Sequence, residues 1–313
     1  MDTIDSIQLI DRRTGALVTE KVLGDRQLRQ AYLGPCAGLL RPLLFRTGLL
    51  THLLGWFADS ALSRGKIRRT IDELGIDMTE CAAAPESFRC FNDFFTRRLK
   101  PEARPFDPAA STICSPADCR LHVCTPLTDN RCLPVKGVAF SVREFLGLPG
   151  PCPCCAGKPG TLHGDMFQGG TAFILRLCPA DYHRYHYPVD GERRRAWEIS
   201  GRYDSVNPLA LGLSIPVFAH NYRCVSILES GVCGVFAFVE VGAFGVSRIV
   251  QTRLQRTFRK GEEKGYFAFG GSTIVLLFEP GRVTPDADLV ASSAKGLETL
   301  VRAGERIAAA TAN

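Results

Sequence analysis

The chain has no apolar run approaching the roughly 20 residues that a membrane-crossing helix needs. Its polar opening, Met1 to Asp11, has no apolar core of a secretory leader. It also has no internal repeat and no low-complexity tract, which excludes solenoid and fibrous architectures. What remains is a folded chain of 313 residues, long enough to bury a full core. No nucleic-acid-binding motif accompanies its net charge of +6. The thirteen cysteines lack the company that would give them a task. No matching Cys pair follows Cys152, Cys154 and Cys155 at zinc spacing, and without a secretion signal the thiols read as reduced and structural.

The positive charge is concentrated. Between Asp11 and Thr70 stand eleven Lys and Arg against four Asp and Glu, so the first quarter holds the entire excess. The same quarter contains Leu39 to Phe57, LLRPLLFRTGLLTHLLGWF, in which Leu39, Leu40, Leu43, Leu44, Leu50, Leu53, Leu54 and Phe57 share one side at helical spacing. Arg41 and Arg46 interrupt it. Such a helix either packs on the protein's own core or lies in a membrane interface, with Trp56 at the acyl boundary and arginines on anionic headgroups. The surrounding charge favours the interface.

Beyond a turn-rich link, Ser87 to Phe106 predicts a short helix capped by Ser87, with Phe88, Phe91, Phe94 and Phe95 as its aromatic side and Pro101 and Pro105 beyond its end. From Ile113 onward short β-like runs alternate with Gly, Pro and Asn. The fold class is therefore α+β: N-terminal amphipathic helices over residues 1–75, then a mostly antiparallel β-rich domain over 76–313 that carries the chemistry. The tail after Pro280 reads equally as strand or short helix.

Two clusters could carry chemistry. In LRLCPADYHRYHYPVDGE, His183 and His186 stand three residues apart, a spacing that can hold a metal, but no third ligand follows and Pro188 forbids a long helix. In KGEEKGYFAFGGSTIVLLFE, Gly270 and Gly271 precede Ser272 and Thr273 at the mouth of an apolar run, Ile274 to Phe278. Glycine leaves the Gly271 carbonyl open to close approach by the Ser272 hydroxyl; the plain alternative is a tight turn or bulge between strands.

These segments together resemble the phosphatidylserine decarboxylase family. KGEEKGYFAFGGST is similar to that family's self-cleavage segment, in its GGST form. Phe88 to Pro105 follows F-x-x-F-x-x-F-F-x-R-x-L-K-P-x-x-R-P almost letter for letter, and Cys114 to Arg120 resembles S-P-x-D-G with Cys119 in place of glycine. Val135-Lys136-Gly137 with Phe140 to Gly147, the D-Y-H-R-x-H-x-P run, Tyr203 to Pro208, Asn221-Tyr222-Arg223 and Val239 to Ile249 complete the likeness. In the last of these Ser247 and Arg248 depart from the family pattern.

The resemblance implies cleavage between Gly271 and Ser272, conversion of Ser272 to a covalent pyruvoyl group, and no need of pyridoxal phosphate or metal. It makes Asp118, His186 and Ser272 a relay in which the carboxylate orients the imidazole and the imidazole takes the hydroxyl proton. His183 is the candidate for protonating the carbanion left by CO₂. The expected activity is decarboxylation of phosphatidylserine to phosphatidylethanolamine by a peripheral protein on the cytoplasmic face of an anionic membrane, its cleaved β and α chains staying together and a homodimer being one assembly it allows. The departures at Cys119, Ser247 and Arg248 keep open a soluble decarboxylase of free aromatic amino acids. A third reading is a lipid-binding module that never matures.

Overall fold

The computed structural model describes residues 7–20, 30, 34, 48–128, 141–148, 162–205, 217–245, 248–253, 255–270 and 272–311. Residues 39–47 of the expected amphipathic helix, Lys136 and Phe140, Cys152, Cys154 and Cys155, Asn207 and Pro208, Ser247 and Gly271 lie outside them.

A hairpin, β1 (Gln8–Asp11) and β2 (Leu17–Thr19), precedes three helices, α1 (Leu49–Asp59), α2 (Lys66–Leu74) and α3 (Phe91–Phe95). Then come β3 (Thr112–Cys114), β4 (Cys119–Cys124), α4 (Val142–Leu146), β5 (Thr171–Leu177), β6 (Arg184–His186) and β7 (Gly191–Ile199). After α5 (Val217–His220) follow β8 (Arg223–Ser230), β9 (Gly234–Gly242), β10 (Ile249–Gln251), β11 (Thr257–Phe258), β12 (Glu263–Phe267) and β13 (Ser272–Phe278). The chain closes with β14 (Val283–Pro285), α6 (Ala287–Ala294), β15 (Glu298–Val301) and β16 (Arg306–Ala310). The tail is thus both helix and strand.

Ten strands form the main sheet in the order β11-β7-β8-β9-β13-β5-β4-β15-β1-β2, antiparallel throughout except where β1 runs parallel to β15. Every residue of β13 is buried, as a strand apolar on both faces must be. Ile274, Leu276 and Phe278 enter one core with Leu121, Leu175 and Phe238, while Val275 and Leu277 enter the other with Ile174, Val225 and Val239. The first core is closed by two three-stranded sheets, β10-β12-β6 and β14-β16-β3, and by Leu289 of α6. The second is closed by Phe145 and Leu146 of α4 and Phe218 of α5.

A third cluster joins the helices: Ala58, Ile67, Phe88, Phe91, Phe94 and Phe95, with Phe269 against it. Its geometry corrects one expectation. Ser87 does not cap the aromatic helix; it sits in a 3₁₀ turn, Pro85–Ser87, and α3 begins at Phe91 after the extended Cys90. An extended path from Phe88 to Cys90 lets Phe88 meet Phe94 edge to face at 5.8 Å, which a continuous helix would not. The helix also ends at Phe95, well before the prolines.

α1 is inverted relative to an ordinary surface helix. It buries Thr51, Gly55 and Ala58 and presents Leu49, Leu53 and Trp56 outward, at 63%, 53% and 74% exposure, with Leu62 beside them at 82%. Among the described residues no helix is long and apolar enough to cross a membrane.

Candidate active site

Ser272 opens β13 and pairs with Leu177 of β5 on one side and Gly242 of β9 on the other. Its side chain shares the face of Ile274 by strand alternation. It is fully buried, and its Oγ has no hydrogen-bond partner among the described residues. β5 leaves Leu177 through a tight turn in which Asp181 donates its N–H to the Cys178 carbonyl at 2.8 Å and its carboxylate accepts the Cys178 N–H at 2.6 Å. The chain then returns as β6, with His183 just before it and His186 at its end. β12 lies antiparallel to β6, and the Phe267 N–H donates to the His183 carbonyl at 3.0 Å. The nucleophile candidate and His183 therefore sit at neighbouring ends of two loops, 178–183 and 268–270, whereas His186 stands at the other end of β6, opposite Glu263 at the start of β12.

The second loop is narrow and anchored. Gly270 has φ 138°, a region that favours glycine, and Gly245 with φ 86° approaches so closely that a Cβ there would lie 3.3 Å from Gly270 Cα. Asn92 of α3 accepts the Phe269 N–H on Oδ1 at 2.7 Å and donates from Nδ2 to Asp59 at 2.7 Å. The Phe269 ring packs edge-on to Phe91 and Phe95, at 5.0 and 5.3 Å. Arg248 donates to the other oxygen of Asp59 at 3.0 Å, so one of the two departures from the family pattern braces α1.

His183 is fully buried under the Phe95 ring, centroid to centroid 3.9 Å. Burial pushes its pKa down to about 3, the neighbouring Arg97 and Arg120 adding to the effect against the bond to Asp181, so the ring is neutral near pH 7. Its Nδ1 lies 3.0 Å from the Asp181 carbonyl, which can only accept, so Nδ1 carries the proton and Nε2 holds the lone pair. That Nε2 is unpartnered among the described residues. An oriented, neutral imidazole with a free lone pair is equipped to take a proton or to return one.

His186 lies between Tyr182, stacked at 5.9 Å, and Phe106, at 5.5 Å. Burial lowers its pKa as well, opposed by the charges of Glu263 and Asp118. Asp118 is thus near enough to act on His186 electrostatically, yet its oxygens are otherwise engaged. Arg104 donates to both, at 2.8 and 2.7 Å, and the Ala303 N–H adds a third bond at 2.9 Å. The Nδ1 of His186 has no partner among the described residues. In the uncut chain the carboxylate and the imidazole are neighbours without the hydrogen bond the relay needs. Arg104 in turn reaches Glu80 at 2.9 Å, and Glu80 reaches Arg302 at 2.8 Å.

Cys119 fills the position where the family pattern has glycine without disturbing the strand. It pairs with Val301 and is fully buried, its Sγ 3.8 Å from the Ser115 hydroxyl. Three polar groups escaped sequence reasoning. Asn92 and Arg97 are polar residues inside the aromatic block, the signal that could have marked them. Lys264 and Glu240 form a buried ion pair on β12 and β9, with Gln251 accepting from Lys264 at 2.8 Å. Among the described residues no group of three candidate metal ligands occurs.

Comparison with known proteins bears on these geometries. The family model described as phosphatidylserine decarboxylase matches residues 91–309. A phosphatidylserine decarboxylase proenzyme of Clostridium perfringens is 39% identical over 302 residues, covering 96% of this chain and 99% of that protein. The proenzyme of Ruminiclostridium cellulolyticum is 38% identical over 96% of this chain and 97% of its own length. That of Clostridium botulinum is 36% identical, with coverages of 96% and 98%.

Proposed function

The chain belongs to the phosphatidylserine decarboxylase family, and on that premise we propose that it cuts itself between Gly271 and Ser272 and then decarboxylates phosphatidylserine at a membrane surface. The observation that carries the reading is Ser272: a fully buried hydroxyl without a partner among the described residues, at the first position of a central strand and directly after a glycine loop.

The Ser272 hydroxyl adds to the Gly271 carbonyl, the amide becomes an ester, and β-elimination opens the chain. The dehydroalanine left at the new N-terminus takes up water and releases ammonia to give the pyruvoyl group, which supplies an electron sink for the pair left behind by CO₂. Serine is a weak nucleophile unless a base removes its proton, and such help accelerates a reaction roughly 10²–10⁴-fold. His186 supplies that base and Asp118 orients it, the hydrogen bond between them forming as the loop reaches its reactive geometry. His183, held in one tautomer by the Asp181 carbonyl, takes a proton on Nε2 from the incoming substrate ammonium and returns it to the carbanion equivalent. Phe95 and Phe269 keep water from that step and favour loss of a charged carboxylate as neutral CO₂.

Access to a lipid requires the site to be held at headgroup level. The outward row of Leu49, Leu53, Trp56 and Leu62 enters the acyl boundary, and the surrounding basic residues face the anionic headgroups of the cytoplasmic leaflet. Intact mass and decarboxylation assays test the whole reading together. We expect two chains, Met1–Gly271 and Ser272–Asn313, the smaller blocked to Edman chemistry, with CO₂ released from phosphatidylserine. A single uncut chain in active material overturns it, and activity confined to free aromatic amino acids replaces the lipid by a soluble substrate.

A further inference from the structure

Arg97 follows α3 and is 5% exposed. Its guanidinium lies over the Phe94 ring at 5.1 Å, and Nη2 donates to the carbonyls of Ala180 at 3.1 Å and Asp181 at 3.3 Å. Nε and Nη1 find no acceptor among the described residues, which leaves three of the five guanidinium N–H bonds unused. The nearby carboxylates are committed elsewhere: Asp118 to Arg104, and Asp181 to Arg120. A buried cation with idle donors is costly, and its planar donor set suits oxyanions above all.

Its position is equally specific. The Asp181 carbonyl that accepts from Arg97 also accepts from Nδ1 of His183, so the two side chains are two hydrogen bonds apart. The 178–181 turn that presents this carbonyl starts at Leu177, the strand partner of Ser272. Arg97 therefore flanks the place where the substrate's amine and carboxylate must react.

We infer that Arg97 is the anion-recognition residue of this site and that it receives the phosphodiester of the lipid headgroup, a conclusion that rests on the decarboxylase reading above. The headgroup offers two anions, the carboxylate and the phosphodiester. A cation on the carboxylate stabilises the ground state more than the transition state, because that charge moves away as the carbon–carbon bond breaks. The phosphodiester keeps its charge from start to finish. Holding it lowers KM while leaving the barrier of the bound substrate alone.

The test compares wild type with Arg97→Gln and Arg97→Lys on phosphatidylserine in mixed micelles and on O-methylserine, which keeps the amine and the carboxylate and lacks the phosphodiester. Arg97→Gln should raise KM for phosphatidylserine roughly ten- to a hundredfold with kcat within a few-fold, and Arg97→Lys should recover part of the loss. KM for O-methylserine should not move, and glycerol 3-phosphate should compete with phosphatidylserine in wild type. A fall in kcat at unchanged KM, or an equal loss on both substrates, would assign Arg97 to the carboxylate or the proton transfer and overturn the inference. Should Arg97→Gln remain uncut and so never mature, the wild-type competition decides: competition by glycerol 3-phosphate supports the inference, and its absence overturns it. Wild type inactive on both substrates would instead remove the decarboxylase reading on which it stands.

Discussion

Asn92 accepts the backbone N–H of Phe269 at 2.7 Å and so fixes, from a helix far away in sequence, the loop that leads into Gly271 and Ser272. The same side chain donates to Asp59 at the end of α1, which makes it the link between the outward-facing helix and the scissile loop. Removing a buried hydrogen bond of this kind costs about 1–3 kcal/mol. Asn92→Ala should therefore slow self-cleavage by roughly ten- to a hundredfold, the factor that such an energy represents. Time-resolved separation of the two chains measures it. Cleavage at the wild-type rate would show that the loop holds its geometry without Asn92. Asn92→Asp should do no better, since a carboxylate beside Asp59 brings like charges together.

The two histidines should separate by step. Ser272→Ala and His186→Ala should both remain uncut, one having lost the nucleophile and the other its base. Asp118→Asn should cleave more slowly rather than not at all. His183→Ala should cleave, at least in part, and then fail to turn over phosphatidylserine. If His183→Ala blocks cleavage as completely as His186→Ala, this division of roles is wrong, and His183, held in one tautomer, serves the cleavage step as well.

His183 also leaves a mark on stability. Its pKa is about 3 in the folded chain against 6.5 for an ordinary histidine. Between those values the unfolded state binds the extra proton, so stability is complete above about pH 6.5 and declines as pH falls toward 3. The slope attributable to one such group is at most about 1.4 kcal/mol per pH unit. His186, shifted the same way, adds to it. Thermal melts of uncut Ser272→Ala should lose Tm steadily below pH 6.5, and His183→Gln in that background should flatten the loss. An unchanged slope would mean that His183 is already charged in the fold.

Much of this was legible in the residues. A glycine pair followed by a β-branched run does mark the mouth of a central strand, because only such a strand is apolar on both faces. The aromatic spacing of Phe88, Phe91, Phe94 and Phe95 likewise announced a shared core. What spacing could not show is which distant group those rings meet: Phe95 covers His183, and Phe91 and Phe95 grip Phe269, contacts set by the return of β6 and β12 rather than by anything local. Nor could it show that Asp118 gives both oxygens to Arg104, or that Asn92 faces the loop, since polar side chains in an aromatic run read simply as its outer side. The helix stripe had the same ambiguity. Periodicity finds an apolar face on α1 but not that Gly55 and Ala58, being small, are the residues turned inward.

The buried pair of Lys264 and Glu240 offers a test of the sheet. Both are essentially unexposed, and Lys264 also lies over the Phe238 ring at 4.8 Å. Removing one partner strands a buried charge, at a cost of about 3–5 kcal/mol, whereas replacing both with apolar residues of similar volume is often neutral. Lys264→Met should lower the unfolding free energy by that amount in denaturant titrations, and Lys264→Met with Glu240→Leu should recover most of it. Equal loss in single and double variants would mean that the pair contributes through its bonds to Gln251 instead.

The membrane prediction turns on which residues of α1 face outward. Leu53 and Trp56 are 53% and 74% exposed, whereas Phe57 is half-buried with Lys66 Nζ 4.8 Å from its ring centroid. Charges placed at Leu53 and Trp56 therefore meet solvent in the folded protein and should leave the helix and self-cleavage intact. Burying their side chains in the acyl boundary contributes about 25 cal/mol per Å² of apolar surface, and each Lys or Arg near an anionic leaflet adds about 1 kcal/mol. The second contribution is screened as the Debye length falls from about 10 Å at 0.1 M salt to 3 Å at 1 M, and the first is not. Wild type should co-sediment with phosphatidylserine vesicles and lose only part of that binding in high salt. Leu53→Asp with Trp56→Asp should lose all of it while still separating into two chains. The double variant should also lose activity on vesicles yet keep it on phosphatidylserine dispersed in detergent, where no bilayer has to be reached. Vesicle binding that survives both substitutions would place the membrane-facing surface elsewhere on the molecule.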